Sequence, residues 1–170
     1  MDIKNLPTSA EGVYPEVMVT SKNRITANIL QNLYSDCDSE TEAVLGYTYQ
    51  HYITKPMEED IAEIFGKIAI NEMHHHELLG ETIVKLGGVP YYVNSRNMPF
   101  RIGCINPTRN LKDILRNNIK GEENAIKSYE MAITRIDNDS IKDLLRRILE
   151  DEKVHLKTLQ TILEYITFYK

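Results

Sequence analysis

One apolar stripe near the C-terminal end of the chain constrains the fold more than any other feature. Reading forward from Ile141 in alternating steps of four and three residues meets an apolar side chain everywhere except at Glu152 and His155. The members are Ile141, Leu145, Ile148, Glu152, His155, Leu159, Ile162 and Ile166. Residues at these spacings share one face of an α-helix. Because burying a lone carboxylate is costly, the stripe predicts that Glu152 and His155, one turn apart, bind the same ion.

The same stripe occurs a second time, 80 residues earlier in the chain. Its members are Ile61, Phe65, Ile68, Glu72, His75, Leu79, Thr82 and Leu86. Seven of the eight positions keep their character, and Thr82 in place of Ile162 is the exception. The repeat therefore predicts a second buried helix with its own Glu-x-x-His motif.

A different stripe, with a Glu and no following ligand His, also occurs twice, at an offset of 82 residues. Glu40 is followed by Ala43 and Tyr47, and Glu122 is followed by Ala125 and Tyr129 at the same spacings. The chain is thus interpreted as two diverged helix pairs, each with one Glu helix and one Glu-x-x-His helix.

Turn signals set the expected boundaries. We predict an extended N-terminal arm over residues 1–21 and a helical domain over 22–170, with helices at about 22–53, 58–86, 109–137 and 140–168. Short connections make the helices of each pair antiparallel neighbours, and the long segment 87–109 carries the chain to the other end of the bundle. The predicted fold is all-α, an antiparallel four-helix bundle with one long crossover between the second and third helices.

Composition narrows the functional classes. The 170 residues are enough for one domain with a sizeable core, and no apolar run approaches the roughly 18 residues of a membrane span. The first residues lack the pattern of a secretory signal, and two cysteines without a motif favour a reducing cytoplasm. A net charge of −5 argues against nucleic acid as a partner. Two divalent cations would cancel the charge of four buried glutamates.

With one long crossover, a Glu from two helices and Glu-x-x-His from the other two, the pattern is that of dinuclear carboxylate proteins. Over about residues 23–167 the sequence resembles the ferritin-like superfamily, and within it the rubrerythrin-like branch. The segments that carry the resemblance are 40–47, 121–129 and 149–155.

The resemblance implies a role for each residue of the motifs. Glu72 and Glu152 would bridge two metal ions. Glu40 with His75 would complete one metal position, and Glu122 with His155 the other. A mixed carboxylate and imidazole set suits two Fe ions, or alternatively two Mn ions. Tyr47 and Tyr129 would assist catalysis as hydrogen-bond partners of the ligands.

Two departures from the rubrerythrin pattern affect the expected chemistry. Rubrerythrins commonly carry a rubredoxin module with paired Cys-x-x-Cys motifs, and this sequence has none, so a separate electron donor such as a rubredoxin-type protein is expected. They also carry a further Glu where this chain has Ala125, which leaves a simpler site of six ligands.

The functional hypothesis is a diiron oxidoreductase that reduces hydrogen peroxide or dioxygen, working as a homodimer without membrane attachment. Three alternatives stay open: a dimanganese catalase-like enzyme that needs no donor, a ferroxidase or iron-storage protein in a large assembly, and a non-catalytic bundle. Without metal, the polar stripe centres would form a hydrogen-bonded network. Removing Glu72 is then expected to relieve carboxylate repulsion in the metal-free protein. His51, His74 and His76 are expected at the rim or surface.

Overall fold

The structure is a computed structural model that describes residues 3–169, so the first two residues of the predicted arm and the last residue of the predicted helical domain lie outside it. Its helices are α1 (Arg24–Tyr34), α2 (Glu40–Thr54), α3 (Glu59–Lys85), α4 (Leu111–Arg135) and α5 (Asp139–Phe168), with short 3-10 turns at Ile3–Asn5 and Ile102–Cys104. Within the described part of the chain the only β pairing is an isolated bridge between Val93 and Pro99. None of the described helices is long and apolar enough to cross a lipid bilayer.

The prediction of one continuous first helix is wrong, because residues 35–39 separate α1 from α2. Side chains in this segment take over the hydrogen bonds of the backbone. Thr41 donates its hydroxyl to the Tyr34 carbonyl at 2.7 Å, and Ser39 donates to the Asp36 carbonyl at 2.6 Å. Asp38 adopts a left-handed conformation with φ of 58°. Short polar side chains compete with helical hydrogen bonds in this way, and together they interrupt the helix.

Asparagine side chains start three of the helices. Asn23, Asn110 and Asn138 cap α1, α4 and α5, and each accepts a hydrogen bond from the backbone N–H three residues ahead, at 3.0, 3.1 and 3.0 Å. These bonds satisfy N–H groups that have no partner within the helix. At the end of α3, Gly87 has φ of 79°, a conformation in which glycine avoids the strain of a side chain.

Two apolar cores fill the bundle, one on each side of a polar layer. One core joins α1 to the second half of α3 and the first half of α5, with Leu30, Leu79 and Leu145 among its members. The other joins α2 to the first half of α3 and the second half of α5, and includes Phe65 and Leu159. Because α3 and α5 pass through both cores, the Glu-x-x-His motifs at their centres lie between them.

The N-terminal arm follows α5 from its second half back to its beginning. Thr158 donates to the Pro7 carbonyl at 2.7 Å, Arg147 donates to the Ala10 carbonyl at 2.8 Å, and Ser140 accepts from the Met18 N–H at 2.9 Å. These contacts run from the first turn of α5 to Thr158, about two thirds of its length. The arm therefore covers one side of the bundle and of the polar layer.

The long crossover between α3 and α4 is fastened to the helices that it passes. Gln31 donates its amide to the carbonyls of Tyr91 and Val93 at 2.7 and 2.8 Å. Cys37, in the segment between α1 and α2, forms a disulfide with Cys104 of the crossover, with the two Cα atoms 5.6 Å apart. The sequence offered no pairing motif for these cysteines, because the partners are 67 residues apart and meet only in the folded chain.

We predict that replacing both cysteines, Cys37→Ser with Cys104→Ser, lowers the free energy of unfolding. A cross-link over 67 residues restricts the unfolded chain, and loop-closure entropy gives about 4 kcal/mol for a loop of this length. Denaturant titration of the wild type with and without a reductant, beside the double variant, measures the effect. Equal stability of all of these samples would contradict the prediction.

Candidate metal centre

All six predicted ligand side chains meet in the polar layer. Glu40 comes from the first turn of α2, Glu122 from the middle of α4, and the two Glu-x-x-His pairs from the middles of α3 and α5. None of the six residues is more than 4% exposed. The four helices thus bring four carboxylates and two imidazoles together in an almost completely buried layer.

The six side chains form two overlapping groups. One consists of Glu40, Glu72, His75 and Glu152, and the other of Glu72, Glu122, Glu152 and His155. Within each group, one donor atom from every residue lies within 4.8 Å of all the others. Glu72 and Glu152 belong to both groups. This is the geometry expected for two cations that share two carboxylates.

Unpaired buried atoms at the centre of the cluster test whether a metal fits there. Glu40 Oε2, Glu72 Oε1, Glu152 Oε1 and His155 Nδ1 are buried and make no hydrogen bond. Glu72 Oε1 and His155 Nδ1 lie 2.9 Å apart but are not oriented as donor and acceptor. Buried polar atoms without partners are costly. Carboxylate oxygens and an imidazole nitrogen left free in this way fit cation ligands, and the donor set suits a pair of metal ions.

Burial and neighbouring charges shift the pKa values of the carboxylates and imidazoles in the cluster. Burial raises the pKa of Glu40 and of Glu122 well above the usual range, and neighbouring carboxylates add to the effect. Burial also opposes ionisation of Glu72, but the positive charge of His155 and the charge and hydrogen bond of His75 outweigh it and lower the Glu72 pKa. The pKa of both imidazoles is raised, because neighbouring carboxylates outweigh desolvation. Without a metal, the two histidines are therefore the counter-charges of the shared carboxylates.

Each of the two tyrosines predicted from the sequence donates a hydrogen bond to the glutamate of the other helix. Tyr47 of α2 donates its hydroxyl to Glu122 Oε1 of α4, and Tyr129 of α4 donates to Glu40 Oε1 of α2. Both hydrogen bonds are short and buried. Each tyrosine occupies one oxygen of a carboxylate and fixes its orientation, which leaves the second oxygen for the centre.

The outer nitrogens of both imidazoles are held by residues that sequence reasoning missed. His75 Nε2 lies 3.0 Å from Asp151 Oδ2. His155 Nε2 lies 2.9 Å from the Thr8 carbonyl oxygen and 3.1 Å from Asn71 Oδ1. These contacts place a proton on Nε2 of each ring and direct Nδ1 towards the carboxylates. The repeat could have identified two of these residues, because Asn71 and Asp151 occupy equivalent positions immediately before Glu72 and Glu152.

Tyr14 of the N-terminal arm connects these outer contacts, and it too was missed. Its hydroxyl donates to Asp151 Oδ2 at 2.6 Å and accepts from Asn71 Nδ2 at 2.9 Å. The guanidinium of Arg147 lies 4.4 Å from the Tyr14 ring centre and 2.7 Å from Asp151. The arm has no helical periodicity, so no pattern in it predicted a contact with the centre.

The remaining histidines lie outside the cluster, where the sequence placed them. His74 is exposed and packs against the Tyr14 ring. His76 stacks on Tyr34 with 4.1 Å between the ring centres, and His51 Nδ1 lies 2.7 Å from the Ala62 carbonyl oxygen.

A cavity of about 110 Å³ reaches the cluster from the side of α2 and α4. The four cluster glutamates, Tyr47 and Tyr129 line its floor, and small residues of α2 and α4 leave its walls open: Ala43, Gly46, Gly121, Ala125 and Ser128. Ile105 and Asn106 of the crossover, just after the disulfide, form part of the wall. A space of this size admits a small oxidant such as hydrogen peroxide.

A helical bundle with two cation positions that share two carboxylates defines a dinuclear metal protein of the ferritin-like type. The chain belongs to the rubrerythrin family, since the family model described as Rubrerythrin matches residues 31–163.

Similar proteins carry the same architecture with different metals. The chain is 23% identical over 161 residues to a probable manganese catalase of Clostridium acetobutylicum, covering 82% of this chain and 71% of that protein. The manganese catalase KatB from Anabaena superimposes with a TM-score of 0.84 at 22% identity, over 89% of this chain and 77% of that one. The bacterioferritin of Desulfovibrio desulfuricans, which has a diiron site, superimposes with a TM-score of 0.73 at 24% identity. The match covers 86% of this chain and 82% of that one. The predicted ferritin-like bundle is confirmed.

We predict that Glu72→Ala loses both metal ions, because Glu72 belongs to both ligand groups. The metal-free variant should also be less stable than the metal-free wild type, by about 3 kcal/mol, because two buried imidazoles lose a counter-charge. This reverses the sequence-based expectation of relieved repulsion. Elemental analysis and thermal unfolding measure the two effects.

Glu81→Ala, an exposed change on the same helix, is the control and should keep two metal ions per chain. A Glu72→Ala protein that retained two metal ions would rule out a shared carboxylate at this position.

Proposed function

We propose that the chain is an oxidoreductase that decomposes hydrogen peroxide at a dinuclear centre. The observation that carries the proposal is the buried set of four carboxylates and two imidazoles, whose carboxylates line a cavity that admits a small oxidant. Glu72 and Glu152 would bridge the two ions, Glu40 and His75 would complete one position, and Glu122 and His155 the other. The bound metal pair would supply and accept the two electrons that cleavage of the O–O bond requires.

The protein's own contribution is to hold the ligands in place beside the cavity and to keep bulk water out. Tyr47 and Tyr129 line the cavity, and their hydroxyls are hydrogen bonded to Glu122 and Glu40. Each hydroxyl therefore holds its carboxylate in one orientation while the oxidant occupies the cavity. The apolar cores on both sides keep bulk water out of the layer, which strengthens these electrostatic interactions.

Manganese and disproportionation are the form of this reaction that we favour. Two molecules of hydrogen peroxide would give two of water and one of dioxygen, so the chain would need no electron donor. The support is the likeness to a probable manganese catalase over 82% of the chain.

A diiron peroxide or oxygen reductase is the second candidate. The family model and the likeness to a bacterioferritin with a diiron site favour it. This version needs two electrons per peroxide from a separate donor, for which a rubredoxin-type protein stays a prediction. The homodimer and the cytoplasmic location stay predictions as well.

Metal-loaded protein separates the two candidates directly. We predict that protein with two Mn ions per chain consumes hydrogen peroxide without any reductant and releases one dioxygen for every two peroxides, measured with an oxygen electrode. Peroxide consumption only by the iron-loaded protein, and only with a reductant, would favour the reductase. Inactivity with both metals at full loading would contradict the proposed function.

We also predict that Ala125→Leu slows peroxide decomposition and leaves the metal content unchanged. Ala125 lines the cavity but belongs to neither ligand group, so the larger side chain fills the approach to the centre. We expect kcat/KM for peroxide to fall at least tenfold with two metal ions retained. Ala125→Ser, which adds a single atom, is the matched control, and an unchanged kcat/KM for Ala125→Leu would show that the oxidant enters elsewhere.

A further inference from the structure

The two metal positions differ in the residue that holds the outer nitrogen of the imidazole. The 80-residue repeat aligns Asp151 with Asn71, so one copy has a carboxylate where the other has a carboxamide. Each of these residues serves the histidine of the opposite helix: Asp151 of α5 contacts His75, and Asn71 of α3 contacts His155. The two copies of the repeat therefore differ at the residue that contacts the outer nitrogen of each imidazole.

On the His75 side the partner is a buried anion. Asp151 is 0% exposed, and its Oδ2 lies 3.0 Å from His75 Nε2. Its oxygens also accept from the Ala10 N–H at 2.7 Å and from the Tyr14 hydroxyl at 2.6 Å, and the Arg147 guanidinium lies 2.7 Å away. These contacts hold the Asp151 carboxylate in place, directed at the imidazole.

On the His155 side both partners are neutral. The Thr8 carbonyl and the Asn71 Oδ1 accept from His155 Nε2 at 2.9 and 3.1 Å. Asn71 donates its amide to the Tyr14 hydroxyl, which fixes Oδ1 towards His155. The repeat counterpart of Arg147 is Lys67, which donates to the Lys4 carbonyl instead of joining this contact.

The other ligands of the two positions are matched. Glu40 and Glu122 are both 4% exposed, and each accepts a short hydrogen bond from a tyrosine of the opposite helix. Glu72 and Glu152 belong to both groups. The partner of the imidazole is thus the main chemical difference between the positions.

We propose that Asp151 makes the position of His75 and Glu40 the tighter and first-filled of two metal positions, and that Asn71 leaves the position of His155 and Glu122 weaker. A carboxylate that accepts a hydrogen bond from the N–H of an imidazole raises the electron density on the opposite nitrogen and holds the ring in place. Outer partners of this kind change metal affinity by about 10- to 100-fold. The inference rests on the dinuclear site of the proposed function, but not on peroxide as the substrate.

Titration of metal-free protein with Mn²⁺ alone, followed by calorimetry, measures the two steps. The wild type should bind the two ions with affinities that differ by about 10- to 100-fold. Asp151→Asn should lower the affinity of the tighter binding step, so that the two affinities become more similar. Asn71→Asp should raise the affinity of the weaker binding step. Asp143→Asn is the matched control, because Asp143 lies on the same helix and pairs with an arginine, Arg146, but is exposed.

The location of the first ion separates electronic tuning from a structural effect. In crystals of wild-type protein with one equivalent of Mn²⁺, the anomalous scattering peak should lie beside His75 Nδ1 and not beside His155 Nδ1. In the double variant Asn71→Asp with Asp151→Asn, the peak should move to His155. A purely structural role of Asp151 would lower stability without moving the ion.

Two results would overturn the inference: equal affinities in the wild type, or an equal loss of both steps in Asp151→Asn. If Asp151→Asn fails to fold, Asn71→Asp still tests the proposal through the weaker step. No turnover is measured, so stepwise binding without peroxide decomposition would refute only the proposed function. Peroxide decomposition with two equal steps would refute only the inference.

Discussion

The structure depends on the neutralisation of four carboxylates that lie in the middle of its bundle. Glu40, Glu72, Glu122 and Glu152 are each no more than 4% exposed, and apolar cores lie on both sides of them. A buried carboxylate is tolerated only when it is protonated, hydrogen bonded or paired with a positive charge. Two of these solutions occur here, because tyrosines donate hydrogen bonds to the terminal carboxylates and the imidazoles lie beside the shared ones. Two divalent cations would satisfy the oxygens that remain unpaired.

The same requirement explains the elements around the centre. The helix pairs repeat so that two Glu and two Glu-x-x-His segments converge from four sides, and the tyrosines cross from α2 to α4 and back. The arm supplies the Thr8 carbonyl to one imidazole and reaches the other through Tyr14 and Asp151. The crossover, fastened by the disulfide, forms a wall of the cavity. Each element that is not a bundle helix therefore has a contact that limits water, orients a ligand or shapes the entrance.

Much of this organisation could be predicted from the sequence, and the failures have physical causes. The stripes of α3 and α5 predicted their buried faces, because burial follows helical periodicity when a helix packs along its whole length. The break between α1 and α2 was not predicted, because Leu33, Cys37 and Glu40 keep the helical spacing of four and three residues across it. Local hydrogen bonds of Thr41 and Ser39 and a disulfide to a distant residue interrupt the helix instead.

The contacts of the outer imidazole nitrogens were not predicted either, for a related reason. Asp151 is off the stripe of its own helix and becomes important only because His75 of another helix faces it. The arm has no repeating pattern, so Thr8 and Tyr14 carry no signal in one sequence. Periodicity reports which face of a helix is buried, whereas contacts between elements depend on how the faces are set against one another.

Anomalous X-ray scattering from crystals of the Mn²⁺-loaded protein tests the central claim most directly. Two peaks are predicted in the polar layer between the two cores, one beside His75 Nδ1 and the other beside His155 Nδ1, with Glu72 and Glu152 in contact with both. A single peak, or peaks only at the group of Cys37, Glu42 and Cys104 or at the protein surface, would contradict a dinuclear centre built from these six residues.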